Sequence, residues 1–119
     1  MIVAGLGCRT GCLAGDLAAV VRLAAATAGQ TVGAIAAPRF KQHESGLHEA
    51  ARLLGVPLVL VDLAALQAVQ PRCPTRSDLA ERMTGVASVA EGAALAASGG
   101  RLLLARISLG GATCALAGP

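Results

Sequence analysis

The chain has 119 residues, 55% of them hydrophobic, and a formal net charge of +3, which fits one domain over residues 1–119 with a core that needs no disulfide or metal. Phe40 is the only aromatic residue, so base-stacking platforms are excluded and no nucleic-acid partner is expected. No apolar run approaches the roughly 20 residues that span a bilayer, and residues 1–5 lack the positive segment of a signal peptide. We therefore expect a cytoplasmic protein without a membrane partner.

Short apolar runs alternate along the chain with amphipathic segments that end in glycine, which is typical of alternating strands and helices. The run at residues 58–61 is wholly apolar, which predicts a strand covered on both faces. Polar loops are predicted at residues 38–46 and 70–76. In chain order, the predicted elements are strand 2–6, helix 12–28, strand 31–36, helix 46–54 capped by Ser45, strand 58–61, helix 63–69 capped by Asp62, a brief helix from Ser77 to Met83, helix 88–98, strand 101–107 and strand 112–117.

This order predicts an α/β fold, with a mainly parallel sheet, helices on both faces and an antiparallel hairpin formed by the last two strands. Ligands of such sheets bind beyond the carboxyl ends of the strands. The first two strands bring Arg9 and Lys41 to that edge. If the strand at residues 101–107 is parallel to the first, Arg106 and the start of the helix at Ser88 reach the same edge. Helix N-termini and cations together then predict a site for a polyanion.

Gly5, near the end of the first predicted strand, and Gly7 and Gly11, in the turn that follows it, form a G-x-G-x-x-x-G pattern. The spacing is one residue longer than a dinucleotide fingerprint, and the expected ribose-binding acid after the second strand is absent. Neither a nicotinamide nor a flavin cofactor is therefore expected. We favour a glycine turn that lets a ligand approach the backbone, and a purely structural turn stays open as an alternative.

The four cysteines do not form C-x-x-C pairs, so a zinc site is not expected and the thiols are predicted to be reduced. Cys8 and Cys12 lie at a predicted helix start, where a histidine base such as His43 could activate a nucleophile. Small buried thiols are the favoured interpretation. His43 and His48 are one residue too far apart for the H-E-x-x-H motif, so no metal site is predicted.

Lys41 is the only lysine in the chain and stands three residues before Glu44. One interpretation is an ammonium group that holds an anion, with Glu44 as base or hydrogen-bond acceptor; the other is a loop salt bridge of little energy. Ser88 and Glu91 have the spacing of a capping box, in which the carboxylate accepts from the N–H of the cap residue.

Six segments of the chain occur in an order that is similar to one known family. They are Gly5-Leu6-Gly7-Cys8-Arg9, Lys41-x-x-Glu44-x-Gly46-Leu47, Leu53-Leu54-Gly55-Val56-Pro57-Leu58, Thr75-x-Ser77, Gly85-Val86-x-Ser88-Val89-Ala90-Glu91-x-Ala93-Ala94-Leu95 and Ala112-Thr113-x-Ala115. The ordered set resembles the CobE/CbiG C-terminal family of cobalamin-biosynthesis proteins. The resemblance implies a three-layer α/β/α fold with a mixed five-stranded sheet. It also implies a role in corrin metabolism, with a corrin or precorrin intermediate as the partner.

Longer members of that family open the lactone ring of a cobalt-precorrin, and this chain is similar to the stand-alone form that lacks their additional N-terminal sequence. The family often has lysine where Arg106 stands, so the charge is kept but a role that needs a neutral amine is not expected. Taken with the resemblance, the candidate ligand-binding residues are Gly7, Cys8, Arg9, Lys41, Glu44, Thr75, Ser77, Ser88, Glu91 and Arg106.

Three functions follow as alternatives. The first is a non-catalytic protein that binds an anionic tetrapyrrole, a precorrin or a hydrogenobyrinate-like acid, through the carboxylates of its side chains. The second is a precorrin lactone hydrolase in which Glu44 activates water and either Lys41 or backbone N–H groups stabilise the oxyanion. The third is a partner subunit of another cobalamin-pathway enzyme. A homo-oligomer is also open. Thr75 and Ser77 are loop hydroxyls for the ligand or, alternatively, turn and cap residues.

Overall fold

A single mixed sheet of five strands forms the centre of the computed structural model, which describes residues 1–119. The strands lie side by side in the order β3-β2-β1-β5-β4. Short 3₁₀ turns follow the second strand and the third helix, at Arg39–Lys41 and Gln70–Arg72. The elements are β1 Val3–Gly7, α1 Ala14–Ala28, β2 Ala34–Pro38, α2 Ser45–Leu54, β3 Leu58–Val61, α3 Leu63–Val69, α4 Asp78–Thr84, α5 Val89–Ser98, β4 Arg101–Leu109 and β5 Ala112–Gly118.

The strand directions confirm the predicted fold class. β1, β2 and β3 are parallel, β5 is antiparallel to β1, and β4 is antiparallel to β5. β4 therefore runs in the same direction as β1. Gly110 and Gly111 join β4 to β5, and both have positive φ, 60° and 85°, which a tight two-residue hairpin requires.

Helices cover both faces of the sheet, because side chains alternate between the faces along each strand. On one face, Leu6 packs in the same core cluster as Leu17 of α1 and Leu47 of α2. On the other face, Val3 packs with Leu66 of α3 and with residues of α5. No helix combines the length and the apolar character that a membrane span requires.

The prediction that β3 is covered on both faces is wrong. β3 is an edge strand that pairs only with β2, and Val59 is 38% exposed. Leu58 and Leu60 are half-buried, and only Val61 is fully buried. An apolar run of four residues fits an edge strand as well as a central one, because burial at an edge depends on what the rest of the chain covers.

The helix caps predicted at Ser45 and Asp62 differ in the structure. Glu44, not Ser45, is the N-cap residue of α2, and its side chain makes no cap hydrogen bond. Asp62 stands at the N-cap of α3, but its carboxylate pairs with Arg39 instead of the helix N-terminus. The Ser77 cap is confirmed, since its Oγ accepts a hydrogen bond from the N–H of Ala80 at 3.1 Å.

Candidate functional site

A cavity of about 550 Å³ opens at the carboxyl edge, by which we mean the edge of the sheet where the parallel strands β1, β2 and β4 end. Its size falls in the range of small-molecule sites. The ends of β1 and β2, one face of α4, the start of α5 and Arg106 of β4 line it. Because β4 is parallel to β1, α5 begins at this edge, as predicted.

Three cations and no acid face this cavity. Arg9, Lys41 and Arg106 are its only charged lining residues, and 11 of the 21 residues that line it are hydrophobic. None of the three takes part in the ion pairs of the structure, which are Arg39–Asp62, Arg52–Glu49 and Arg76–Glu81. Unpaired cations beside an apolar surface favour a ligand with anionic arms on an apolar body. We call this site the cationic cavity.

Glu44 lies beside the cationic cavity but does not line it. Its Oε2 accepts a hydrogen bond from the N–H of Gly11 at 2.9 Å, so the carboxylate holds the loop after β1. The loop salt bridge between Lys41 and Glu44, one of the two sequence-based interpretations, is not formed. Lys41, in the 3₁₀ turn after β2, is therefore left to face the cavity.

Glu91 is fully buried and accepts three hydrogen bonds. Oε1 accepts from the N–H of Thr75 and from Oγ of Ser88, both at 2.9 Å, and Oε2 accepts from the N–H of Arg106 at 3.0 Å. Burial alone raises the pKa of Glu91, but the hydrogen bonds from the backbones of Arg106 and Thr75 and from Ser88 outweigh it and hold the pKa below its usual value. The carboxylate is thus an internal anion that joins three segments.

The predicted capping box is wrong in its detail. The N–H of Ser88 donates to Oε1 of Gln70 at 2.9 Å, and Glu91 takes the hydroxyl of Ser88 instead. The reason is that the side chain of Gln70, from the turn after α3, already accepts the hydrogen bond of the Ser88 N–H.

A β-bulge in β4 presents Arg106 to the cavity. Leu104 pairs with Leu116 and Ile107 pairs with Cys114, so β4 has one residue more than β5 over this interval. A bulge leaves a backbone group outside the ladder and re-aims a side chain. The N–H of Arg106 accordingly donates to Glu91, and Arg106 is one of the residues that line the cavity.

The structure brings together Gly7, Cys8, Arg9, Lys41, Ser77 and Arg106 at the cationic cavity. It does not bring Glu44, Thr75, Ser88 or Glu91 to the cavity surface. Thr75, Ser88 and Glu91 instead lie behind the residues that line the cavity. There the Glu91 carboxylate holds the segments that carry Ser77 and Arg106.

Sequence reasoning missed the apolar part of the lining, above all Phe40, Leu79 and Met83. These side chains are 46%, 63% and 76% exposed, respectively. Leu79 and Met83 are the only large apolar residues of this short helix and stand four residues apart, and this spacing was the available signal.

Cys8 lines the cavity, but its thiol is a poor nucleophile. Burial, followed by the hydrogen bond and the charge of Cys12, raises the pKa of Cys8 to about 12. Since the thiolate is the reactive form, this disfavours the covalent alternative. No group of three or more His, Cys, Asp or Glu side chains lies in an arrangement that could hold a metal ion.

We expect Cys8 in the folded protein to react with iodoacetamide at pH 8 more than tenfold slower than in the chain unfolded by urea, because little thiolate forms. Mass spectrometry of the peptide that contains Cys8, after timed alkylation, measures the rate. Equal rates in the two states would contradict the neutral-thiol assignment and restore the covalent alternative.

Comparisons with known proteins agree with one another. Residues 2–117 match the family described as cobalamin synthesis G C-terminus. Protein CobE of a Sinorhizobium species is 35% identical over 123 residues, which cover 99% of this chain and 80% of that protein. The crystal structure of CobE, a protein from the cobalamin biosynthetic pathway, superposes with a TM-score of 0.91 at 39% identity and covers 98% of this chain and 89% of that one. The cobalamin biosynthesis protein chiG from Agrobacterium tumefaciens gives a TM-score of 0.79 at 38% identity, over 99% and 98% of the two chains.

Proposed function

The chain belongs to the CobE/CbiG C-terminal family of cobalamin-biosynthesis pathway proteins, and from this premise we propose that it binds an anionic tetrapyrrole intermediate, a precorrin or a hydrogenobyrinate-like acid. The observation that carries the proposal is the charge pattern of the cationic cavity. Three cations without acidic partners face a surface that is otherwise mainly apolar. Arg9 and Arg106 are exposed and Lys41 is half-buried, so all three charges are open to an anionic ligand.

The chemistry of a corrin precursor fits this pattern. Its macrocycle is a broad apolar body, and its acetate and propionate arms are carboxylates. Arginine is suited to carboxylates because its planar fork donates two parallel hydrogen bonds, and Lys41 adds a compact charge. Arg9, Lys41 and Arg106 come from three different segments, so they can meet several arms of one ring.

The position of Glu44 supports binding over lactone hydrolysis. A general base must reach the water that it activates. Glu44 accepts a hydrogen bond from the N–H of Gly11 and does not line the cavity. No residue that lines the cavity carries a carboxylate. We also propose that the protein acts in the cytoplasm, a reducing compartment, which agrees with its four free cysteines.

We expect a titration with a purified metal-free corrin polycarboxylate to shift the absorption spectrum of the ligand without forming product. Arg106→Gln and Lys41→Gln should each weaken binding about tenfold, because each removes one charge-assisted contact. The loss should be larger at low ionic strength, where charge interactions are less screened. Arg101→Gln is the matched control, since Arg101 lies at the other end of β4 and outside the cavity.

Two outcomes would contradict the proposal, and a third would remove one residue from the proposed site. No spectral shift at micromolar protein would favour a partner subunit of another enzyme. Product that appears with the wild type and vanishes in Glu44→Ala would instead support the hydrolase. An unchanged affinity in Lys41→Gln would remove Lys41 from the site.

A further inference from the structure

Helix α4 is the one α-helix of the five that buries no residue. It is held at its ends instead. The N–H of Ser77 donates to the carbonyl of Ala87 at 2.8 Å, and the N–H of Val86 donates to Oγ1 of Thr84 at 3.3 Å. Just before the helix, the N–H of Thr75 donates to Glu91. Hydrogen bonds between neighbouring segments, and not a packed core, therefore keep α4 in place.

The apolar face of α4 looks into the cationic cavity. Leu79, Ala80, Met83 and Thr84 line the cavity, and their spacing places them on one face of a helix. Leu79 and Met83 remain 63% and 76% exposed there. Large apolar side chains exposed together beside a concave site indicate a surface that a ligand covers.

We propose that Leu79 and Met83 are the specificity-determining residues of this site, and that they close on the apolar face of a flat, multiply anionic ligand. The inference rests on the proposed function and adds the part of the site that recognises the ring itself. Arg9, Lys41 and Arg106 recognise charge, and so they alone would accept any small polyanion. The α4 face makes the site selective for an anion with a broad apolar body.

The occupant follows from charge and shape. The same cavity presents unpaired cations and no acid, so its occupant is anionic, and under the proposed function its anionic groups are carboxylates. A cavity of about 550 Å³ is a small-molecule site and not a groove for a folded partner. Met83 suits this ligand, because its flexible thioether side chain adapts to irregular apolar surfaces.

The first test compares affinities for the same metal-free corrin polycarboxylate. Leu79→Gln and Met83→Gln keep good helix propensity, and the latter keeps the length of the side chain, but both place a polar amide against the ring. Each is expected to weaken binding about tenfold, with the salt dependence unchanged because no charge is altered. Leu53→Gln in α2 is the matched control, since Leu53 is 52% exposed and lies outside the cavity.

The second probe is citrate, a compact tricarboxylate without an apolar face. Citrate should compete weakly and equally in the wild type and in both α4 variants. The selectivity for the corrin acid over citrate should therefore fall about tenfold in each variant.

Amide hydrogen exchange reads the helix directly. In the free protein, the amides of Asp78–Thr84 should exchange faster than those of α5, because no buried side chain holds them. Saturating corrin acid should slow their exchange about tenfold, and saturating citrate should not.

The failures are distinguishable. Wild-type affinity in both variants, with unchanged exchange in α4 on binding, overturns the role of Leu79 and Met83 and leaves the proposed function standing. No binding of the corrin acid by the wild type overturns both.

Discussion

Glu91→Ala is expected to lower the free energy of unfolding by about 3–5 kcal/mol, because it leaves three hydrogen-bond donors without their acceptor. The substitution removes an acceptor from two backbone N–H groups, of Thr75 and Arg106, and from the hydroxyl of Ser88. Each buried donor left without a partner costs about 1–3 kcal/mol. Urea unfolding followed by circular dichroism at pH 7 measures the loss.

Glu91→Gln removes the charge of the side chain but keeps its shape, so it separates the effects of the two. The amide keeps one acceptor oxygen, but its NH₂ group then faces either the N–H of Arg106 or that of Thr75, donor against donor. We expect a loss of about 1–3 kcal/mol at pH 7. Glu81→Gln is the matched control, because Glu81 only forms an exposed ion pair with Arg76 and should cost about 0–1 kcal/mol.

The same residue predicts a pH dependence with a definite sign. The pKa of Glu91 is lower in the folded protein than its usual value of 4.5, so the folded state favours the carboxylate. Its contribution is therefore fully present above the unfolded pKa and is lost as the pH falls through the folded pKa. Between pH 6 and pH 3 the wild type should lose more stability than Glu91→Gln, which has no carboxylate to protonate. Parallel curves for the two proteins would contradict the assignment of Glu91 as a buried anion.

The sequence predicted the fold because the relevant signals are local. Alternating apolar runs and glycine-ended helices specify the elements, and the direction of β4 brings Arg106 to the edge shared with Arg9 and Lys41. The place of β3 at the sheet edge was missed, because burial there depends on strand order. No local pattern encodes strand order.

The site was harder to predict where its contacts are non-local. The partners of Glu91 lie 15 and 16 residues away at Arg106 and Thr75, and one of these contacts depends on a bulge. The capping-box spacing instead suggested a contact within the helix. The role of Leu79 and Met83 in α4 was missed for a different reason. Both side chains are exposed, and an analysis that looks for core positions does not select exposed residues.

Gly5→Ala is expected to destabilise the fold by about 3 kcal/mol or more, although it adds only one methyl group. A Cβ at Gly5 would overlap the carbonyl oxygen of Ala90 and the backbone nitrogen of Ala94, so α5 would have to move away from β1. Backbone atoms cannot yield as the end of a flexible side chain can. Urea unfolding at pH 7 measures the change.

Gly15→Ala is the matched control, and it should have the opposite sign. Gly15 lies near the start of α1, and nothing stands within 4 Å of a Cβ built there. Alanine favours a helix over glycine by up to about 1 kcal/mol, so this variant should be slightly more stable than the wild type.

The pair also tests whether Gly5, which lies inside β1, serves ligand binding or the packing of α5. If Gly5 serves to let a ligand approach the backbone, alanine should weaken corrin binding and leave stability nearly unchanged. If Gly5 serves the close packing of α5 on β1, alanine should lower the free energy of unfolding. α5 then moves together with its N-terminal residues Val89 and Ala90, which line the cationic cavity. The contact of α5 with Gly5 favours the second result: this glycine shapes the site from behind, through the helix that it seats.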